Sequence, residues 1–340
     1  MLIVSLGSTA GLRMADAELA DSLRRAGASV ALVGAEAPQR RLRTFALIDL
    51  QWARAARRAA LLGLARHGPG AVIYSTTTAS LLWPRPGAIR FDAPSAGNRP
   101  GRHGLWQRPV ERRRLGQAPL LLPCSDGGLR EAPAIARRGN RALVVPIAVE
   151  TSLPPSNADE PGAGAPPRDI AAITYAANPS KKGLDRVLSA WRHVRKSSEE
   201  LVVAGVPAGQ LERAGLIARG EPGIRVVGTL DAQAYRALVR RARVFVCAPR
   251  REDYGSAQLE ALADGCLLVT TAAPGPYAAL GIARALDQRL VGEDLAGALR
   301  AALDDPLPGY ALRARRALEP YSRQAVDGLV AGELLPRLLA

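Results

Sequence analysis

Between residues 244 and 271 the chain runs apolar strand, polar loop, short helix, apolar strand, and this order most constrains what it can fold into. Val244–Ala248 and Leu267–Thr271 are short runs without a charged residue, as strands buried on both faces are. Two such strands joined through a helix lie parallel in an α/β sheet. The segment between them places Glu252 on the loop and Glu260 eight positions later, inside the otherwise apolar helix Ala257–Ala263. At the Gly255-Ser256 junction the first helix amides have no partner within the helix and attract an anion such as a diphosphate, while carboxylates accept hydrogen bonds from hydroxyls. A carboxylate on an apolar helix needs a partner, and a ribose diol would serve. For Glu252 the bland alternative is an acid that suits the helix dipole.

The same order recurs along the chain. Leu2–Leu6 reads as a buried strand, Gly7-Ser8-Thr9-Ala10-Gly11 as a loop, about Met14 to Ala26 as a helix ending at Gly27, and Ser29–Val33 as the next strand. Residues 40–66 carry apolar positions at helical spacing, and Ala71–Tyr74 and Ile89–Phe91 are further strands. The Gly- and Pro-rich residues 92–109 read as a long loop, a kind that is usually functional or mobile. A basic helix over Pro109–Gly116 and strands at Leu120–Leu122 and Leu143–Val145 complete this half. Residues 151–168 hold five prolines and read as a linker. Beyond it come strand Ile170–Thr174, helix Leu184–Arg195, strand Leu201–Ala204 ending at Gly205, and strand Ile224–Val227 followed by Gly228. Asp231 caps a helix to about Arg241, and from Leu295 the chain is helical, broken near Pro306 and Pro320. The predicted organisation is a Rossmann-like domain over 1–150, a linker over 151–168, a second Rossmann-like domain over 169–320, and a C-terminal helix over 321–340 packing back on the first domain. Two doubly wound domains joined in this way face each other across a cleft that holds the site.

Charge is distributed unevenly. Residues 1–150 contain 22 Arg against 10 Asp plus Glu, a net of +12 out of +15 for the 340 residues. That field favours an anionic partner such as phospholipid headgroups, a lipid-linked phosphate or nucleic acid, the alternative being solvated arginines on helix faces. No aromatic-rich basic module or helix-turn-helix pattern supports nucleic acid, which is therefore disfavoured. The bias to arginine over lysine, with abundant alanine, fits a GC-rich bacterial genome. Cys124, Cys247 and Cys266 lack metal-like spacing, and an odd count without a signal peptide fits a reducing cytoplasm. No apolar run is long enough to span a bilayer, so membrane contact would be peripheral, at the inner face of the cell membrane.

Three further places carry candidate chemistry. Asn178-Pro179-Ser180-Lys181-Lys182-Gly183 lies between a strand and a helix and holds two of the chain's three lysines; a lysine there can neutralise a diphosphate leaving group, where the alternative is a solvated turn. The Gly7 loop can bring backbone amides near a ligand, but it lacks a dinucleotide fingerprint, and no acid near residue 33 closes a ribose site; this excludes a nicotinamide dehydrogenase. Asp92 follows the strand Ile89–Phe91 at a carboxyl edge, where catalytic groups often sit. His67, His103 and His193 are too scattered for a metal site; His103, in the long loop, could face the cleft.

Several of these segments, in this order, resemble the donor domain of the family 4 glycosyltransferases, retaining enzymes of the GT-B fold. Lys181-Lys182-Gly183-Leu184-Asp185 is similar to the family's phosphate-binding Lys-Gly segment, and Val202–Gly205 and Val226–Gly228 to its strand-to-glycine turns. Glu252-Asp253-Tyr254-Gly255 through Glu260–Gly265 is similar to its two-glutamate motif. In the first half, Glu111–Leu115, Pro123–Asp126 and Val145–Ala148 have the order expected near the end of an acceptor domain. The resemblance implies transfer of a sugar from a UDP- or GDP-linked donor, with retention and without a metal or other cofactor. Lys182, beside Lys181, would hold the diphosphate; Glu260 would hold the ribose hydroxyls; Glu252 would face the donor sugar, with Tyr254, Gly255 and Ser256 beside it. The acceptor would be a glycan, a lipid or another anionic molecule of the cell envelope. The chain departs from the family at Ala176-Ala177-Asn178, where an arginine is usual, at Leu267 in place of a proline, and at Ser75 in place of a histidine. Arg250, Arg251 or Arg13 could replace the missing arginine. An epimerase-like, phosphorylase or inactive protein of the same fold, or a basic nucleic-acid-binding protein, are the competing readings.

Overall fold

The strands pair all-parallel into two five-stranded sheets, each covered by helices, in a computed structural model that describes residues 1–37, 44–151 and 168–340. The linker expected over 151–168 and the start of the helix expected over 40–66 fall mostly or partly outside the described residues. The chain divides into two units: Met1–Ala148 with Pro320–Ala340, and Val149–Glu319.

The first unit contains β1 (Leu2–Ser5), β2 (Ala31–Gly34), β3 (Val72–Tyr74), β4 (Ala88–Phe91) and β5 (Leu121–Pro123), in the order β2-β1-β3-β4-β5. The inner strands are buried along their whole length, whereas the edge strand β2 is only partly covered, which is why the inner strands are mainly apolar; the charged exception is Arg90 in β4, buried and paired with Asp16. The first helix starts at Ala10, capped by Thr9, so the loop after β1 is shorter than the sequence suggests. Residues 92–109 are not an open loop. They hold a short helix at Ser95–Asn98 and a 3-10 turn at Gly101–Gly104, fastened by buried carboxylates: Asp49 binds Arg99 at 2.7 and 2.9 Å and also accepts from Gln107, while Glu111 accepts from the Ser95 amide at 3.0 Å. These partners come from distant helices, which a local reading cannot supply. Leu143–Val145 is not a regular strand; it runs beside β5 through a single bridge and the Leu143 and Val145 amides. The C-terminal residues belong to this unit, with Asp327 bonded to Arg25 at 2.7 Å and Ser22 at 2.5 Å.

The second unit contains β6 (Ile170–Tyr175), β7 (Leu201–Ala204), β8 (Ile224–Gly228), β9 (Ala242–Cys247) and β10 (Leu267–Thr270), in the order β10-β9-β6-β7-β8. The chain winds outward from β6 to β8, then returns to the other side of β6 for β9 and β10. The loops leaving β6 and β9 therefore diverge, and a crevice opens between them at the carboxyl edge, the usual ligand position in such sheets.

Candidate functional site

Each side of the β6/β9 crevice supplies part of the site. After β6, Asn178 caps the one-turn helix Pro179–Lys182, its side chain accepting from the Lys181 amide. The turn closes at Gly183, which has φ +63° and initiates helix Leu184–Val194. A Cβ at Gly183 would lie 1.8 Å from the Ala248 carbonyl oxygen, so glycine is what lets the two loops touch. The Arg250 amide then donates to the Lys181 carbonyl at 3.0 Å, and the Glu252 amide to Pro274 at 3.0 Å.

This backbone places two ion pairs side by side. Lys182 Nζ lies 2.7 Å from Glu252 Oε2, and Lys181 Nζ lies 2.8 Å from Asp253 Oδ2, while Arg251 pairs with Asp253 Oδ1 at 2.9 Å. Glu252 is 5% exposed, and it sits in the loop rather than capping the helix, so the dipole-suiting alternative does not describe it. The cap position belongs to Gly255, and no side chain caps helix Ser256–Ala263. Its first amides therefore face the crevice as donors for an anion, with the Ser256 hydroxyl exposed beside them. Tyr254 is buried behind them, and its carbonyl accepts from the Ala278 amide.

Gln258, one turn into this helix and 1% exposed, also donates to Glu252 Oε2, at 3.1 Å. Behind it lie Cys247, Thr270 and Tyr277, the last two 2.9 Å apart. With Oε2 bound by both Lys182 and Gln258, the other oxygen of Glu252 is the one left to a ligand. Gln258 is not among the site residues expected from sequence, although a polar residue in an apolar helix is the same signal that singles out Glu260.

Glu260 is half-buried, and no hydrogen bond or ion pair engages its carboxylate among the described residues. Burial raises its pKa above the usual glutamate value; the nearby Arg236 charge opposes the rise and Asp264 adds to it. Arg236 is itself bound to Asp264 at 2.5 and 2.7 Å. The Tyr235 hydroxyl is buried without a partner, and burial together with the Glu260 charge holds its pKa well above the ordinary phenol value. An acceptor and a donor thus stand close together, both unsatisfied, beside the crevice.

The remaining expected residues fall in three places. Gly205 and Gly228 join the ends of β7 and β8 through an amide-to-carbonyl bond of 2.7 Å, and Gly205 packs under the Tyr175 ring. Gly7 and Asp92 belong to the first unit: Arg13 binds the Gly7 carbonyl at 2.7 Å, and Asp92 accepts from the Ala93 amide at 2.7 Å. Ser75 bonds the Leu6 amide at 3.0 Å, and His103 meets the Phe45 ring edge-on at 5.4 Å. Of the three candidate arginines, Arg250 and Arg251 lie in the Lys182 loop system; Arg250 pairs with Asp185 at 2.8 and 2.9 Å. All three cysteines are buried free thiols.

Comparison with known proteins agrees with this geometry. Residues 168–305, which contain the whole crevice, match the family described as Glycosyl transferases group 1. Sucrose-phosphate synthase from Thermosynechococcus elongatus superposes with a TM-score of 0.73 at 15% identity, over 99% of this chain and 98% of that one. WaaG, a glycosyltransferase involved in lipopolysaccharide biosynthesis, gives 0.70 at 15% identity over 97% and 98%. Anabaena HepE in complex with UDP and glucose gives 0.69 at 13% identity over 98% of each chain. No curated protein matches by sequence. The fold is that of the GT-B glycosyltransferases, built from two Rossmann-like α/β units.

Proposed function

We propose that the protein is a retaining glycosyltransferase that takes a sugar from a UDP- or GDP-linked donor without a metal. Its acceptor is an anionic or membrane-borne glycan or lipid at the cytoplasmic face of the membrane. The observation that carries this reading is the convergence of Lys182, Glu252 and the uncapped helix Ser256–Ala263 on one crevice, with Glu260 unsatisfied one turn into that helix. In the reaction the bond from the anomeric carbon to the diphosphate oxygen breaks and its electron pair leaves with the phosphate, while the acceptor oxygen bonds to that carbon on the same face and its proton passes to the departing phosphate oxygen. Lys182, Lys181 and the helix amides neutralise that charge as it develops, the kind of preorganised stabilisation worth most in a site shielded from water. Glu252 accepts from a hydroxyl of the donor sugar and Glu260 from the ribose diol. Both carboxylates bind hydroxyls, and neither has to transfer a proton.

The test is thermal stability with UDP, GDP, ADP, TDP and their common sugars, without metal, on the native protein and on Glu260→Gln. A nucleotide that prefers the folded state raises its melting temperature. Because the folded pKa of Glu260 is raised, the folded state keeps its proton to a higher pH than the unfolded chain does. Stability from this group is therefore lost as pH rises through the window between the ordinary and the raised value. Glu260→Gln should make the unliganded protein more stable at neutral pH while removing the nucleotide-induced shift. A shift that survives in Glu260→Gln contradicts the ribose assignment, and no shift with any nucleotide contradicts donor binding.

Gln258 gives a second check. Gln258→Leu should leave the melting temperature nearly unchanged, because the amide oxygen it removes is already buried without a partner. Turnover should fall by about tenfold, the cost of one neutral donor to a charged group, while nucleotide affinity holds, as separate kcat and KM measurements would show.

A further inference from the structure

Helix Phe45–His67 is laid on the first sheet mainly by its small residues and turns Leu47, Leu61 and Leu62 outward. Ala53, Ala56 and Ala60 are fully buried, and a Cβ on Gly63 would come within 2.8 Å of Leu2. Trp52 and Leu64 flank this contact, partly buried against the same core. Yet Leu47 and Leu61 are 46% exposed and Leu62 is 72% exposed. Arg54 and Arg58 are exposed with them, and positions 47, 54, 58, 61 and 65 fall on one stripe at helical spacing. Asp49 is the one acid in the helix sequence, and it is buried and bound by Arg99. The outward face is therefore cationic with leucines between the charges, along 23 residues or about 34 Å of helix.

We propose that this face docks on an anionic lipid surface, with Arg54 and Arg58 at the headgroup phosphates and Leu47, Leu61 and Leu62 entering the boundary above the acyl chains. A nucleic-acid backbone would use the arginines alone, whereas a basic face carrying leucines is the pattern of helices that lie in a membrane interface. The net charge of +12 over residues 1–150 draws the same unit to such a surface. The inference is independent of the transfer reaction, since docking is read without donor or acceptor.

Sedimentation of the full chain with vesicles tests it, comparing equal parts phosphatidylglycerol and phosphatidylcholine with phosphatidylcholine alone. The expected result is binding to the anionic vesicles only, weakened by salt. Arg54→Gln with Arg58→Gln should reduce it by about 25-fold, and Leu61→Gln with Leu62→Gln by about tenfold. All four positions are exposed, so unchanged melting temperatures should accompany both losses. Absence of binding at low salt, or binding that both double variants leave intact, overturns the proposal. So does equal affinity for a DNA duplex that depends on the arginines but not the leucines, which would assign the face to nucleic acid. Self-association abolished by Leu61→Gln with Leu62→Gln would also overturn it, by showing that a second copy covers the face.

Discussion

Lys182→Ala is expected to lower kcat/KM for the sugar donor by about 10²- to 10³-fold, the range seen when one preorganised donor to a developing charge is removed. The lysine serves two partners in turn. In the free protein it neutralises Glu252 at 2.7 Å, and with donor bound its remaining protons are available to the diphosphate. Its removal therefore also leaves a carboxylate that is 5% exposed with Gln258 as its remaining neighbour at Oε2. Breaking a fully buried pair costs about 3–5 kcal/mol. The Lys182 side chain is 22% exposed, and solvent screening lowers the figure here to roughly 1–3 kcal/mol. Combining Lys182→Met with Glu252→Gln should recover the melting temperature and none of the activity. Recovery of activity in that pair, or full activity in Lys182→Ala, would show that the diphosphate is held elsewhere.

Gly183→Ala is expected to be the most damaging single methyl in the second unit. The residue has φ +63°, which costs an L side chain about 1–2 kcal/mol. Its Cβ would also stand 1.8 Å from the Ala248 carbonyl, a contact the backbone relieves only by moving the two loops apart. Overpacking of this kind adds about 1–3 kcal/mol, for a total of roughly 2–5 kcal/mol. The melting temperature should fall by about 10 °C, and nucleotide binding should be lost even below the transition, because the same contact sets the distance from Lys182 to Glu252. A stable Gly183→Ala protein with normal nucleotide affinity would refute this account of the crevice. By contrast, Gly281→Ala meets nothing within 4 Å and serves as the control.

The core strands and most long helices were legible because each has a local signature. The inner strands are buried on both faces and so are mainly apolar, and Asp231 marks a helix start by an Asx cap. Residues 92–109 and 143–145 were misread for one reason. Asp49 holds the Arg99 and Gln107 side chains, Glu111 the Ser95 amide and β5 the Leu143 and Val145 amides; none of these partners lies within the segment it holds, so composition alone suggests an open loop or a regular strand. The helix at Asp126–Glu131 is capped by Ser125 but is six residues long and holds Gly127 and Gly128, which hide it, and the helix at Ala278–Leu286 has no side-chain cap to mark its start.

What the sequence determined by itself is the set of chemical groups and their spacing: two carboxylates across a loop-to-helix junction, two lysines ahead of a helix, and glycines wherever strand ends turn. Local rules suffice there, because caps, turns and periodicity act over a few residues. Only the tertiary structure decided which of these groups meet. It joined Lys182 to Glu252 across 70 positions, brought Gln258 to the same oxygen, and left the Glu260 carboxylate and the Tyr235 hydroxyl without a hydrogen bond among the described residues. Those outcomes depend on the order of strands in the sheet, which places β6 beside β9, and strand order is set by packing of the whole unit rather than by any segment.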